Sequence, residues 1–381
     1  MNLLVYVTLW LGTLLGQSLP FPGPGGAMGA GPALTCSSNV NGYSLGCPVV
    51  IDHTKVGSTS STNFPMLFSG TYSYLATVAN GGQVQSSSGY DIAFTSDSGC
   101  SSLLSWQQVS WNSTNGAVIY WVRIPTLLAG GNTVIYLCYG NSAITSFQGG
   151  ARGAAWNDGY FQGVWHLGNG STLSALDSTA NGNNGTLEGS PPPGAGPGPI
   201  DGAATFNGST AYIQVPAAVT TQAFTVSAWI NTSSFPSSNP EFIVCGDGLP
   251  TRILQFRLNY SAGYLSGIWF VPNAGSITGS VNLVDGNWHF VATTVVGGSE
   301  PGMCIYVDGT TNCGNATGTL ANGTGQSWNI GSGGGDAGTG WFSGSIEEVR
   351  TAATNRSADW IKAEYNNQSS PSTFYSVATP P

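Results

Sequence analysis

The sequence predicts an all-β protein built as two β-sandwich domains, with one short helix close to its C-terminal end. Three observations carry that expectation. Short runs of β-branched and aromatic residues recur along most of the chain between Gly, Asn, Ser and Pro, as in PVVIDH, AVIYWVRI, TVIYLCYG, FTVSAWIN and WHFVATTVV. Such runs between turn residues read as strands. Within them the alternation has period two: Phe224, Val226, Ala228 and Ile230 share one face, and His289, Val291, Thr293 and Val295 face away from Phe290, Ala292, Thr294 and Val296. Period two over many short segments calls for packed sheets. Finally, 381 residues are enough for about two domains of roughly 100–200 residues each.

Taken in order, residues 1–18 read as a signal peptide. Leu3 to Leu15 is an apolar run followed by Gln17, Ser18 and a Pro/Gly-rich stretch, although residues 2–15 carry no Lys or Arg. The run is shorter than the ~20 residues of a membrane span, and no membrane insertion is expected. Residues 19–35 read as a Pro/Gly linker. The first sandwich is expected over 36–147 and a Gly-containing connector over 148–162. The second sandwich begins near Gly163-Val164-Trp165 and runs to 370. Its loop GSPPPGAGPGPI (189–200) cannot be an interior strand. One helix is expected near its end, with Ser357 as N-cap, Asp359 in the first turn and Ile361 with Tyr365 as an i,i+4 pair. No structure is expected for the tail, 371–381.

Composition narrows the function. Hydrophobic residues make up 41% of the chain, enough for real cores, but charged residues only 7%, far below the usual ~25%. Lys and Arg total 8 against 17 Asp and Glu, a net charge of −9. A phosphate backbone would be repelled, so nucleic acid is not an expected partner. The acidic balance suits a divalent cation better.

Seven cysteines, at 36, 47, 100, 138, 245, 304 and 313, suggest disulfides in an exported protein. In CIYVDGTTNC the central Asp308-Gly309 is a two-residue hairpin signal. Val307 then faces Thr310, and three steps outward Cys304 faces Cys313 at a non-hydrogen-bonded position, within disulfide reach. The other pairs expected are Cys36–Cys47 and Cys100–Cys138, which leaves Cys245 as a buried thiol.

Two resemblances follow from ordered motifs. VVIDHTKV (49–56), NFPMLFSGTYSYL (63–75), GYDIAFTSD (89–97), WVRIPTL (121–127) and IYLCYGN (135–141) resemble the bacterial domain of unknown function DUF2341. This resemblance implies an extracellular β-sandwich beside adhesive modules and carries no catalytic residues. VWHLG (164–168), DSTANGNNGT (177–186), FNGSTAYIQV (206–215), FTVSAWIN (224–231), DGNWHFVATTV (285–295), IYVDG (305–309), NIGSG (329–333) and FSGSIEEVR (342–350) resemble the laminin-G-like domains of the concanavalin A-like lectin and glucanase superfamily. That resemblance implies a jelly roll over about 163–352. The chain departs from the family where Asn207 and Glu347 replace the usual Asp. Ten N-x-S/T sequons, Asn112, Asn184, Asn231 and Asn322 among them, are not read as glycan sites, because both resemblances imply a bacterial source.

For catalysis, glycoside hydrolysis needs two carboxylates across a cleft. The E-x-D-x-x-E of the superfamily's glucanases is absent. Glu347 and Glu348 are adjacent, so on a regular strand they point to opposite faces and cannot flank one bond without a bulge. His53, His166 and His289 are scattered through strand-like contexts and read as structural. For calcium, DSTANGNNGT offers Asp177, Asn181, Asn183 and Asn184, and the family resemblance adds Glu347; the rival reading is a turn-rich loop. Asp158, in the connector, lies outside this set. For a sugar, Trp341 beside GSGGGDAGTG is expected at a sheet rim, and Trp229, Trp269 and Trp288 in the core. The expected function is a secreted or cell-surface non-catalytic binding or adhesion protein for glycans or a matrix or surface protein, with calcium assisting. The alternatives are a structural spacer of a surface protein, and a glycoside hydrolase or lyase of the same superfamily.

Overall fold

The computed structural model describes residues 34–168, 172–216, 219, 221–233, 240–246, 254–259, 263–268, 276–297, 302–315, 327–333 and 340–381. The expected signal peptide, Trp269 and Asn322 lie outside these residues, as does the expected linker except for its last two positions. Residues 35–381 form one compact unit.

The chain opens with β1 (Ser37–Val40), β2 (Tyr43–Ile51), β3 (Ser61–Thr71), β4 (Ala93–Thr95), β5 (Ser105–Trp111), β6 (Ala117–Leu127) and β7 (Thr133–Tyr139). There follow β8 (Phe161–Trp165), β9 (Thr186–Glu188), β10 (Gly194–Gly196), β11 (Ala203–Asn207), β12 (Tyr212–Val215), β13 (Phe224–Asn231), β14 (Glu241–Gly246) and β15 (Leu254–Leu258). Then come β16 (Tyr264–Ile268), β17 (Ser276–Asn282), β18 (Trp288–Val295), β19 (Gly302–Val307), β20 (Thr310–Asn315), β21 (Trp328–Ile330) and β22 (Ser343–Ala352), and last α1 (Ala358–Ser369), α2 (Pro371–Phe374) and β23 (Tyr375–Val377).

In the first sandwich a sheet ordered β1–β2–β7–β4, with β23 also on β2, packs against β3–β6–β5. Phe64, Phe68, Phe94, Trp106 and Tyr120, all buried, fill the space between them. In the second, β10–β11–β22–β13–β18–β19–β20, with β8 beside β22, faces β17–β16–β15–β14–β21–β12–β9. Trp165, Phe224, Phe256, Trp328 and Ile346 lie between these sheets. All pairings between named strands are antiparallel. At the β19–β20 turn Asp308 and Gly309 take φ 49° and 75°, and the register pairs Val307 with Thr310 and Cys304 with Cys313, as the hairpin signal requires. Disulfides join Cys36–Cys47, Cys100–Cys138 and Cys304–Cys313. Cys245 is buried, and its Sγ donates to the Gly333 carbonyl at 3.4 Å.

The C-terminal segment departs from the expectation. Expected as the end of the second sandwich and a structureless tail, α1, α2 and β23 instead complete the first. Trp360 meets Phe64 edge-on at 5.1 Å, and Tyr375 stacks on Phe68 at 5.1 Å. β3 is the edge of its sheet, and its free amide and carbonyl at Leu67 are taken by Asn367, whose Oδ1 accepts at 2.6 Å while its Nδ2 donates at 3.0 Å. The Tyr375 hydroxyl does the same for Ser69, at 2.9 Å on each side. Covering a free edge in this way removes a template for intermolecular pairing. The two cores are not fully separate either: Trp229, Phe290 and Tyr306 of the second sandwich join the hydrophobic cluster of the first.

Candidate functional site

A cleft of about 920 Å3 opens between the two sandwiches. β5 supplies one wall, because a strand alternates its side chains and a bulge between Gln108 and Ser110 shifts its register against β6. The segment 150–155 supplies the rim and the stretch after β8 the facing wall. Tyr90, Phe147, Gln108, Arg152, His166 and Asp201 line it. At the bend after β8, Leu167 takes φ 60°, strained for a branched side chain, and Gly168 leaves no room for a Cβ because the Asp201 carboxylate occupies that space.

His166 is the hub of this wall and not merely a strand residue. Its Nδ1 lies 2.5 Å from Glu348 Oε1 and its Nε2 3.3 Å from Gln107 Oε1. Gln107 is oriented by Trp156, whose Nε1 donates to the same oxygen at 2.6 Å, and its own Nε2 donates to Ser178 at 3.0 Å. Both ring nitrogens of His166 thus face carboxylate or amide oxygens. Glu348 also takes Arg350 at 2.8 Å, and Arg350 reaches Glu364 at 2.9 Å. The charge of Arg350 lies over Trp121 at 4.2 Å and Trp156 at 5.0 Å.

The bulge that would bring Glu347 and Glu348 together is present. Glu348 has φ 53°, and the β13–β22 register shifts between Ser227–Arg350 and Trp229–Glu347. The pair still does not form a catalytic couple, because both are buried and neither lines the cleft. Glu347 accepts from the amides of Ile200 and Asp201 at 3.1 and 2.8 Å. Burial first, and then the charge of Glu348, pushes its carboxyl up to about 9. Asp201 is also raised, by burial and by Glu348, and its Oδ1 is a buried oxygen with no hydrogen-bond partner among the described residues.

The residues expected to bind calcium are distributed otherwise than predicted. Asp177 is buried and its two oxygens accept four hydrogen bonds: from the amides of Val164 and Thr179 at 3.0 and 2.9 Å, from the Thr179 hydroxyl at 2.7 Å and from the Asn183 amide at 2.8 Å. Asn184 Oδ1 accepts the Asp177 amide at 3.0 Å, whereas Asn181 turns its Nδ2 to the carbonyls of Phe161 and Gln162 at 3.2 and 3.1 Å. None of the partners of Glu347 belongs to this loop. Among the described residues no group of three or more His, Cys, Asp or Glu is placed to hold a metal ion. Asp158 is no bystander, since its Oδ1 accepts the Tyr160 and Phe161 amides at 2.8 and 3.0 Å and its Oδ2 pairs with Arg356. Trp341 is half-buried with its ring 5.7 Å from Tyr212, outside the cleft. The cleft residues Gln107, Gln108, Arg152 and Asp201 carry no motif, Tyr90 lies in the GYDIAFTSD run without being singled out there, and the packing of one sandwich on the other completes the set.

Compared with known proteins, residues 88–163 match the model of the domain of unknown function DUF2341, and residues 207–362 that of the concanavalin A-like lectin/glucanases superfamily. No curated protein matches the chain. Among solved structures it is similar to domain 4 of AbnA, a GH43 extracellular arabinanase from Geobacillus stearothermophilus in complex with arabinotriose, at 18% identity over 53% of this chain and 96% of that one, with a TM-score of 0.44. It is similar to the binding domain of Paraclostridial Mosquitocidal Protein 1 at 10% identity, over 54% and 52% of the two chains, TM-score 0.39. To the receptor binding domain of botulinum neurotoxin C/D mosaic serotype it is 14% identical, over 55% and 51%, TM-score 0.41. The chain thus spans about half the length of these two toxin domains.

Proposed function

From a chain in which a DUF2341 region precedes a concanavalin A-like one, we propose an exported, non-catalytic binding module that takes a neutral glycan in the cleft between the sandwiches. The observation that carries this reading is the lining. Aromatic faces at Tyr90 and Phe147 stand beside amides and hydroxyls at Gln107, Gln108, Ser110 and Ser174, the mixture of apolar surface and few placed polar groups that binding sites use. Gln108 is the amide with most to offer, since its own bonds are long: 3.3 Å from the Tyr120 hydroxyl and 3.4 Å to the Ser88 carbonyl. Asp177 and the Glu347–Glu348 pair are buried, which leaves Asp201 without a second open carboxylate beside it in the cleft lining. Three disulfides suit an oxidising compartment, and no helix among the described residues is long and apolar enough to cross a membrane. The reading does not depend on calcium.

The test is a glycan array followed by calorimetric titration of the whole chain. Gln108→Ala and Tyr90→Ala should each weaken binding by about tenfold, the scale of ~1.4 kcal/mol that central contacts carry. An empty array, or affinities unchanged in both variants, would move the preference to the spacer reading.

A further inference from the structure

A second cavity, of about 240 Å3, lies between α1 and the second sandwich and shares no lining residue with the cleft. Trp229, Trp288 and Tyr365 form its walls, and Pro199, Asp308, Gln368 and Ser369 complete it. Trp229 is buried in the core, but Trp288, expected there too, is only half-buried, as is Tyr365. The rings of Trp229 and Tyr365 are 6.2 Å apart. Several polar groups of this pocket are already engaged. Trp229 Nε1 donates to Gln368 Oε1 at 2.7 Å, and Ser369 Oγ to the Tyr365 carbonyl at 2.7 Å. The Asp308 oxygens accept from the Phe290 amide at 2.9 Å and from His289 Nδ1 at 2.8 Å.

A quaternary ammonium group needs no hydrogen bonds, because ring faces and a negative charge hold it. Asp308 is partly exposed in the pocket wall and shares His289 with Asp285, 3.2 Å from the other ring nitrogen. Two carboxylates on one imidazole leave at least one negative charge in excess, whether or not the ring is protonated. We propose that this pocket binds a quaternary ammonium group, with Trp288 and Tyr365 as ring faces and Asp308 as counter-charge.

The whole chain is titrated with choline chloride and with its uncharged tert-butyl isostere, followed by calorimetry. Choline should saturate one site, and the isostere should bind on the order of tenfold more weakly. Trp288→Ala and Asp308→Asn should each weaken choline by a similar factor; Asn is at home at the positive φ of position 308, so the turn is kept. Gln108→Ala in the cleft should leave choline binding unchanged, which separates this site from the glycan reading. Phosphatidylcholine vesicles form a second arm: sedimentation of the protein with them, competed by choline, assigns a lipid headgroup, and choline binding without sedimentation assigns a soluble ligand. The proposal is overturned if choline does not saturate, if the isostere binds as well, or if both pocket variants bind choline like the parent.

Discussion

Glu347 and Glu241 contribute to the pH dependence of this fold. Glu347 is pushed up to about 9 by burial and by Glu348, and Glu241 up to about 8 by burial, against a weak pull from the Ser343 amide at 3.3 Å. An unfolded carboxyl titrates near ~4.3. Between that value and the folded ones the unfolded chain has released protons that the folded chain keeps, so stability falls as pH rises from about 4.5 to about 8. Glu347→Gln imitates the protonated carboxyl and should gain on the order of 1–3 kcal/mol at pH ~8 but little at pH ~4. Denaturant titrations at the two pH values check it, and parallel profiles for parent and variant would contradict it. Asp177→Asn acts in the opposite direction. An amide cannot accept all four hydrogen bonds, so the loop should lose about 2 kcal/mol, and it should do so in the presence of a chelator. A melting midpoint unchanged in chelator would mean that the loop is held by something other than its own donors.

At the scale of elements, the α1–β23 segment is the part of the first sandwich that the sequence hid. Ser357, Asp359, Ile361 and Tyr365 announced a helix, and the Ser357 hydroxyl does accept the Trp360 amide at 3.1 Å. Nothing local announced where the helix would dock. Asn367 and Tyr375 are ordinary residues until β3 presents an open edge to them, and that edge is set by contacts about 300 positions away in sequence. A chain truncated after Asn355 should therefore lose protease resistance in residues 36–147 first, and a peptide of residues 356–378 added in trans should restore it. Equal resistance with and without the segment would show that the first sandwich stands by itself. The hairpin at Asp308-Gly309 was legible because its register is fixed within ten residues; the cleft was not, because its walls come from different sandwiches.

For the whole molecule, the relevant feature is the contact between the sandwiches behind His166. Arg350 of the second sandwich lies over Trp121 and Trp156 and is tied to Glu348 and Glu364, while His166 stacks on Trp121 at 6.1 Å. Scanning calorimetry of residues 35–381 should show one endotherm, and two well-separated endotherms would restore the picture of independent domains. β1 and β23 also lie along the same strand, β2, so that Cys36 Sγ is 3.5 Å from the Ala378 carbonyl. A pull applied at positions 36 and 378 would load this seam first. It would peel β23 from β2 one pair at a time, while the Cys36–Cys47 bond arrests the other side, and the second sandwich would hang outside the path of the force like a pendant from its clasp.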